Sequence, residues 1–276
     1  MMRFLFLGTG TSAGVPAIGC DCATCISDDP RDTRTRTAAA LQFVDDKGHD
    51  RVVLLDAGPD LRQQALRHRL SRCDAILFTH NHVDHTFGLD EVRRFNVVMR
   101  SPIDVFAERH TLDHLRRVYT HIFDRDNNVN DSFVATLIAH ELDATRPLDL
   151  HGVRFTPIRL LHGRLPVLGF RIEPLAPRPD DPVYPLAYCT DVSGVPPESW
   201  RHFTGVRTLV LDALRHRHHP THLTLDQAVD IASRVGAQRT FFVHMAHDLR
   251  HAETQDALPP GMFLAHDGLE LAADAV

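Results

Sequence analysis

The stretch Thr79-His80-Asn81-His82-Val83-Asp84-His85 constrains this chain more than any other. Its spacing, H-x-H-x-D-H, places four potential metal ligands within six residues. It follows Asp74-Ala75-Ile76-Leu77-Phe78, an apolar run that reads as a buried strand. Neutral imidazole and carboxylate are ligands suited to zinc, manganese or iron. A strand that empties into a loop supplies a rigid base and an opening for substrate. The chain carries 20 histidines, so a histidine-rich surface loop is the competing explanation. Scattered histidines would not, however, produce this spacing at a strand exit.

The length of 276 residues fits one large domain over 1–276. A net charge of −6 gives no broad basic footprint, which makes nucleic acid the less favoured partner. No apolar run approaches the ~18 residues of a membrane span. Met1–Leu7 leads into Gly8-Thr9-Gly10 and reads as a first strand, not a signal peptide. Five cysteines, three of them clustered, fit a reducing cytoplasm and metal binding better than disulfides.

In chain order, Gly8–Pro16 reads as a tight loop, because Pro16 and a cysteine cluster replace the helix that a dinucleotide site requires. Cys20, Cys22 and Cys25 form C-x-C-x-x-C, which can hold one zinc if a fourth ligand arrives from elsewhere. Arg31, Arg34 and Arg36 lie in a polar segment, either facing a phosphate or forming a solvated surface. Arg93 and Arg94 are further substrate candidates. Strands over Ala38–Val44 and Arg51–Leu55 make a hairpin that ends at Asp56, placed either to orient a metal-bound histidine or to shape a turn. Helices are expected over Asp60–Leu70, Leu89–Met99 and Glu108–Phe123, the last carrying His110 and His114 on a solvated face. After the polar connector Asp124–Ser132 come strands over Phe133–Ala139, Val153–Leu161, Leu168–Glu173 and Leu186–Thr190. His162 and Asp191 follow two of these directly. A strand over Arg207–Leu211, a helix over Leu225–Val235 capped near Thr224, and a strand over Thr240–Val243 running into His244 and His247 complete the pattern. Met262–Leu271 is expected to close the chain as a small hairpin.

H-x-H-x-D-H after a strand, with strand-end His162, Asp191 and His244 following in order, resembles the metallo-β-lactamase superfamily of binuclear metallohydrolases. The resemblance implies an αββα sandwich, with two mixed sheets face to face and helices outside. It further implies that His80, His82 and His162 hold one metal, that Asp84, His85 and His244 hold a second, and that Asp191 bridges them. The glycine-rich opening and His222-Leu223-Thr224 are similar to the phosphodiesterase branch, which includes ribonuclease Z. The three cysteines with His247 resemble the phosphoribosyl cyclic phosphodiesterases, in which such a set binds a structural zinc.

Two divalent ions sharing one water would lower its pKa from 15.7 toward about 7 and supply hydroxide at neutral pH. His222, beyond the metals, would bind a phosphoryl oxygen or protonate the leaving group. His222, Asp84 and Asp191 are therefore the expected catalytic set. The active-site ions would be zinc or manganese, with one further structural zinc. The favoured function is cleavage of a small cyclic phosphodiester. A ribonuclease Z-like endonuclease, a thioesterase or lactonase, and a non-catalytic zinc protein are the alternatives. Oligomeric state, a homodimer included, is open at this stage.

Overall fold

The computed structural model describes residues 2–124 and 133–272, so the expected connector falls outside them except for Asp124. The strands are β1 (Met2–Gly8), β2 (Ala38–Val44), β3 (Asp50–Leu55), β4 (Ala75–Leu77), β5 (Ile103–Ala107), β6 (Leu137–Glu141), β7 (Leu148–Leu150), β8 (Val153–His162), β9 (Leu165–Pro174), β10 (Leu186–Cys189), β11 (Thr208–Asp212), β12 (Arg239–Val243), β13 (Met262–Leu264) and β14 (Glu270–Ala272). The helices are α1 (Leu61–Arg67), α2 (Val83–Thr86), α3 (Arg93–Met99), α4 (Arg109–Val118), α5 (Thr120–Phe123), α6 (Leu225–Val235) and α7 (His251–Ala257). One seven-stranded sheet has the order β14-β1-β2-β3-β4-β5-β6, and the other β13-β12-β11-β10-β9-β8-β7. Both mix parallel and antiparallel pairs.

Alternation along the strands builds three apolar layers. Phe4 and Phe6 of β1 point into the layer between the sheets, where Phe6 meets Phe241 (ring centres 5.8 Å apart) and Phe4 meets Tyr188 (5.9 Å). Leu5 and Leu7 point the other way and pack under helices with Leu61, Phe95 and Leu112. On the far side of the second sheet, Leu209 and Leu211 meet Ala228 and Ala232 of α6. Strands buried on both faces read as continuous apolar runs, as β1 and β4 do. The four-layer αββα sandwich expected from the family resemblance is therefore the observed fold.

Three local expectations change. The helix over Glu108–Phe123 divides at Tyr119, which leaves helical geometry (φ −109°, ψ 48°) as its buried hydroxyl donates to the Thr86 carbonyl (3.0 Å). The helix over Leu89–Met99 begins as a 3-10 turn, Leu89–Val92. The closing hairpin does not form: β13 lies parallel to β12 and β14 antiparallel to β1, so the two strands finish different sheets. Each thereby covers a sheet edge that a hairpin would have left open. Between them Asp267 accepts from the backbone N–H and hydroxyl of both Thr9 (2.9 and 2.9 Å) and Thr35 (2.8 and 2.7 Å).

The arginines considered for phosphate binding have internal partners instead. Arg34 is fully buried and donates to Ala246 O (3.0 Å), Leu249 O (2.5 Å) and Asp32 Oδ1 (3.3 Å), tying the N-terminal loop to the segment after β12. Arg36 pairs with Asp60, Arg31 with Asp29 and Arg93 with Asp90. Only Arg94 shows no such pairing among the described residues.

His251 opens α7 beside this anchor, buried with Nδ1 unpartnered. Burial, then the charges of Arg31 and Arg34, hold its pKa down to about 4. The helix N-terminus adds to the cost of a cation there. The folded state thus binds fewer protons than the unfolded chain, so stability is intact above about pH 6.5 and falls as pH drops toward 4. Between pH 7 and 5 this group should remove about 2 kcal/mol. Urea melts at the two pH values should show that loss reduced in His251→Gln.

Candidate metal centre

The side chains of the paired groups, together with Asp56 and Asp212, lie where strands end at one edge of the sandwich. Asp56 follows β3, the histidine cluster follows β4, His162 ends β8, Asp191 follows β10, Asp212 ends β11 and His244 follows β12. Carboxyl ends of strands are where α/β sheets open into ligand crevices. Asp56, Asp191 and His244 all have left-handed backbone (φ 66°, 58° and 61°). Such conformations cost roughly 1–3 kcal/mol each and collect at functional sites.

The side chains fall into two groups that share one carboxylate. Ligand atoms of His80, His82, His162 and Asp191 lie within 4.8 Å of one another, as do those of Asp84, His85, Asp191 and His244. Asp191 Oδ2 is 3.1 Å from His85 Nε2, and its Oδ1 is 3.3 Å from His244 Nε2 and 3.9 Å from His80 Nε2. Asp84 Oδ2 is 3.4 Å from His85 Nε2 and 3.6 Å from His244 Nε2. His82 is exposed, which marks the open side.

The rings are aimed from behind. Asp56 Oδ2 accepts from His85 Nδ1 (2.8 Å), and its two oxygens accept from the Thr79 backbone N–H (2.8 Å) and hydroxyl (2.9 Å). Thr79 Oγ1 lies 2.9 Å from His80 Nδ1. His162 Nδ1 donates to Thr221 O (2.7 Å). With Nδ1 engaged, each ring presents Nε2 to the carboxylates. Buttressing of this kind fixes the tautomer and raises ligand basicity.

These atoms fit divalent cations. The Nε2 atoms of His80, His85 and His244 are buried without a hydrogen-bond partner, yet all converge on two carboxylates. Buried polar atoms left unpaired are costly. Charge points the same way. Burial pushes Asp191 upward, but His244 and His85 outweigh it and hold the carboxyl far below its ordinary range. Asp84 is held down similarly by His244 and His85 against its burial. Against the burial of both rings, Asp191 and Asp56 raise His85, and Asp191 and Asp84 raise His244 to about 9. The Asp84 group thus gathers positive charge as protons, which bound cations would displace. Burial pushes His80, His82 and His162 down, the last to about 4, and so favours their neutral, metal-ligating form.

A second cluster joins the N-terminal loop to the segment after β12. The Sγ atoms of Cys20, Cys22 and Cys25 lie 3.1, 3.3 and 3.5 Å from His247 Nδ1. Tetrahedral zinc with ordinary S and N bond lengths gives edges of about 3.5 Å. The Cys25 backbone N–H leads in holding the Cys22 thiol down to about 6, so thiolate is available at neutral pH. This set could hold one ion, separate from the two sharing Asp191.

His222 stands just beyond the paired groups, its ring centre 4.6 Å from that of His244 and 4.5 Å from that of His162. Its Nδ1 donates to Asp212 Oδ2 (2.7 Å), which also accepts from the Val192 N–H (2.7 Å). Burial pushes the Asp212 carboxyl up, while His222 and His244 pull it back. Asp212 was not among the sequence candidates. The only signal available was an aspartate closing an apolar strand.

A family model described as a beta-lactamase superfamily domain matches residues 51–245. The chain belongs to the beta-lactamase superfamily. Among solved structures it resembles a protein described as a new diphosphatase from the PhnP family, with 39% identity and a TM-score of 0.85 over 98% of this chain and 96% of that one. Zinc-bound PqqB from Methylobacterium extorquens (20% identity, TM-score 0.73, 98% and 99% covered) and the short form of human tRNase Z (20%, 0.67, 98% and 99%) share the fold. A curated octanoyltransferase from Porphyromonas gingivalis is 35% identical over 99% of this superfamily member but only 52% of its own length. The chain therefore spans about half of that relative, whose name belongs to the whole protein. Among the described residues no helix is long and apolar enough to cross a membrane.

Proposed function

We propose that this superfamily hydrolase is a binuclear-metal phosphodiesterase acting on a small phosphate diester, a cyclic diester foremost. The observation that carries the reading is the Asp212–His222 pair set against two ligand groups that share Asp191. In this reading His80, His82, His162 and Asp191 hold one ion, and Asp84, His85, His244 and Asp191 the other. Cys20, Cys22, Cys25 and His247 hold a structural zinc. Zinc or manganese in the paired site supplies nucleophile activation and neutralises phosphoryl charge. His222 holds a proton on Nε2 for the departing oxygen, and Asp212 steadies the ring and the charge it carries. Placing a proton there serves an alcohol or phosphate leaving group that departs poorly unprotonated. The PhnP-family diphosphatase, alike over nearly the full length of both chains, supports phosphoryl chemistry and widens the candidate substrates to diphosphates. The described cysteines support no acyl-enzyme route: three sit in the His247 cluster, and Cys73 and Cys189 are buried.

The test is metal-reconstituted protein assayed against a ribose cyclic phosphate, cyclic nucleotides, a dinucleoside diphosphate, pre-tRNA and glutathione and octanoyl thioesters. Turnover of the small phosphate esters is the expected result. Thioester turnover without any phosphoester cleavage would overturn the reading.

A further inference from the structure

Three of the ligand rings are held from behind, and His244 is not. His85, His80 and His162 have Asp56, Thr79 and Thr221 at Nδ1. His244 is buried, with Nε2 3.3 Å from Asp191 Oδ1 and Nδ1 without a hydrogen-bond partner. A buried carboxylate oxygen beside it is in the same position. Asp212 spends Oδ2 on His222 Nδ1 and on the Val192 N–H (2.7 Å each) and leaves Oδ1 unpartnered.

The fold sets these two orphaned atoms on neighbouring strands. β11 and β12 are parallel, with Asp212 in register with Val243 and the Ala213 N–H bonded to Val243 O (3.0 Å). His244 is the next residue, where left-handed backbone (φ 61°) ends the strand. Its ring stacks on that of His222, 4.6 Å away and 12° from parallel. One ligating atom each of Asp212, His222 and His244 lie within 4.8 Å of one another.

Chemistry decides which group donates. A neutral imidazole that meets a cation through Nε2 carries its proton on Nδ1. An ionised carboxylate offers only acceptors. Kept apart, the N–H and the oxygen would both stay buried and unpaired, which is costly. Joined, they give His244 the backing that His85 receives from Asp56, and they fix its tautomer. One carboxylate then holds a ligand ring with one oxygen and the ring of the proton donor with the other.

We propose that Asp212 is a positioning residue for the metal centre as well as for His222: its Oδ1 accepts from His244 Nδ1–H and keeps Nε2 bare for a cation. This rests on the binuclear reading of the site, and it ties the ion at His244 and the acid at His222 to a single anchor.

The experiment titrates manganese(II) by calorimetry into protein freed of its active-site ions. The wild type should bind two. Asp212→Asn keeps its carbonyl on His222 and Val192, so its amide N–H₂ takes the place of Oδ1 and sets donor against donor at His244. Affinity for one of the two ions should fall about tenfold or more, the usual effect of losing the group behind a ligand. His222→Ala leaves Oδ1 in place and should keep both affinities. Equal weakening of both ions, or the same weakening in His222→Ala, would reduce Asp212 to scaffolding and overturn the proposal. So would an Asp212→Asn protein that binds both ions as the wild type does. A second measurement needs no variant. In the zinc-loaded wild type, long-range ¹H–¹⁵N spectra should show the His244 ring with metal on Nε2 and a slowly exchanging proton on Nδ1. A bare or freely exchanging Nδ1 overturns the proposal. Turnover of bis(p-nitrophenyl) phosphate, whose leaving group needs no acid, is followed alongside. Asp212→Asn should lose it at limiting manganese and regain it in excess. If the wild type cleaves this diester while Asp212→Asn leaves the affinities unchanged, the positioning role alone fails. A wild type that binds two ions with the expected His244 tautomer, yet cleaves neither this diester nor ADP-ribose, keeps the positioning role and sinks the phosphodiesterase reading.

Discussion

Replacing His222 by Ala should slow hydrolysis of a phosphodiester with a poor leaving group by about 10²–10⁴-fold, the range for one well-placed general acid. The active-site metals should stay bound, because His222 belongs to neither of the groups that share Asp191. The deficit should shrink as the leaving group becomes more acidic, since p-nitrophenolate departs without a proton. Asp212→Asn should fall in the same direction. The oxygen facing Nδ1 also accepts from the Val192 N–H, so an Asn keeps its carbonyl there and retains the Nδ1 hydrogen bond, but it removes the charge that stabilises an imidazolium. The double variant should be little worse than His222→Ala alone, because the two side chains act as one unit. The measurements are kcat/KM across a leaving-group series and metal content by elemental analysis. An equal loss for every leaving group, or loss of metal, would show that His222 supports the site and does not feed it protons.

How legible this was differs from residue to residue. His80, His82, Asp84 and His85 are near neighbours in sequence, and a strand exit explains their spacing. His162, Asp191 and His244 could be placed because each ends an apolar run and the order matches a known superfamily. The fold then brings all seven together within the two ligand groups. Asp212 escaped because it too ends an apolar run, and nothing local separates an aspartate that shapes a turn from one that orients an imidazole ten residues on. Arg34 escaped for a different reason. Arginine defaults to the surface, and its burial depends on carbonyls of Ala246 and Leu249, more than two hundred residues away. The tail strands failed on topology: a turn-like Asp267-Gly268 suggests a hairpin, but Asp267 spends its oxygens on Thr9 and Thr35. Local pattern reports local pairing, and these three outcomes were set by distant partners.

Cys22→Ser should remove one zinc per chain and lower the melting temperature, with consequences that reach the active site. A hydroxyl is a poor zinc ligand beside a thiol already held down to about 6. Free zinc-finger peptides gain about 10–16 kcal/mol from their ion because nothing else folds them. Here the N-terminal loop keeps the Arg34 and Asp267 anchors, so the loss should be nearer 4 kcal/mol, the stabilisation from a ligand at about a thousand times its Kd. For a chain of this size that corresponds to roughly 10 °C. His247 lies three residues after His244, and between them Met245 exchanges backbone hydrogen bonds with the same loop: its N–H donates to Thr9 O (3.0 Å), and its carbonyl accepts from Thr11 N (3.1 Å). Loosening the loop therefore loosens the strained backbone that aims His244 at Asp84 and Asp191. At limiting metal, occupancy of the paired site should fall along with the structural ion, and excess metal should restore turnover but not the melting temperature. Unchanged zinc stoichiometry in Cys22→Ser would remove the structural ion from this account. A lost ion with full occupancy and turnover at limiting metal would show that the loop stabilises the sandwich without steering its catalytic edge.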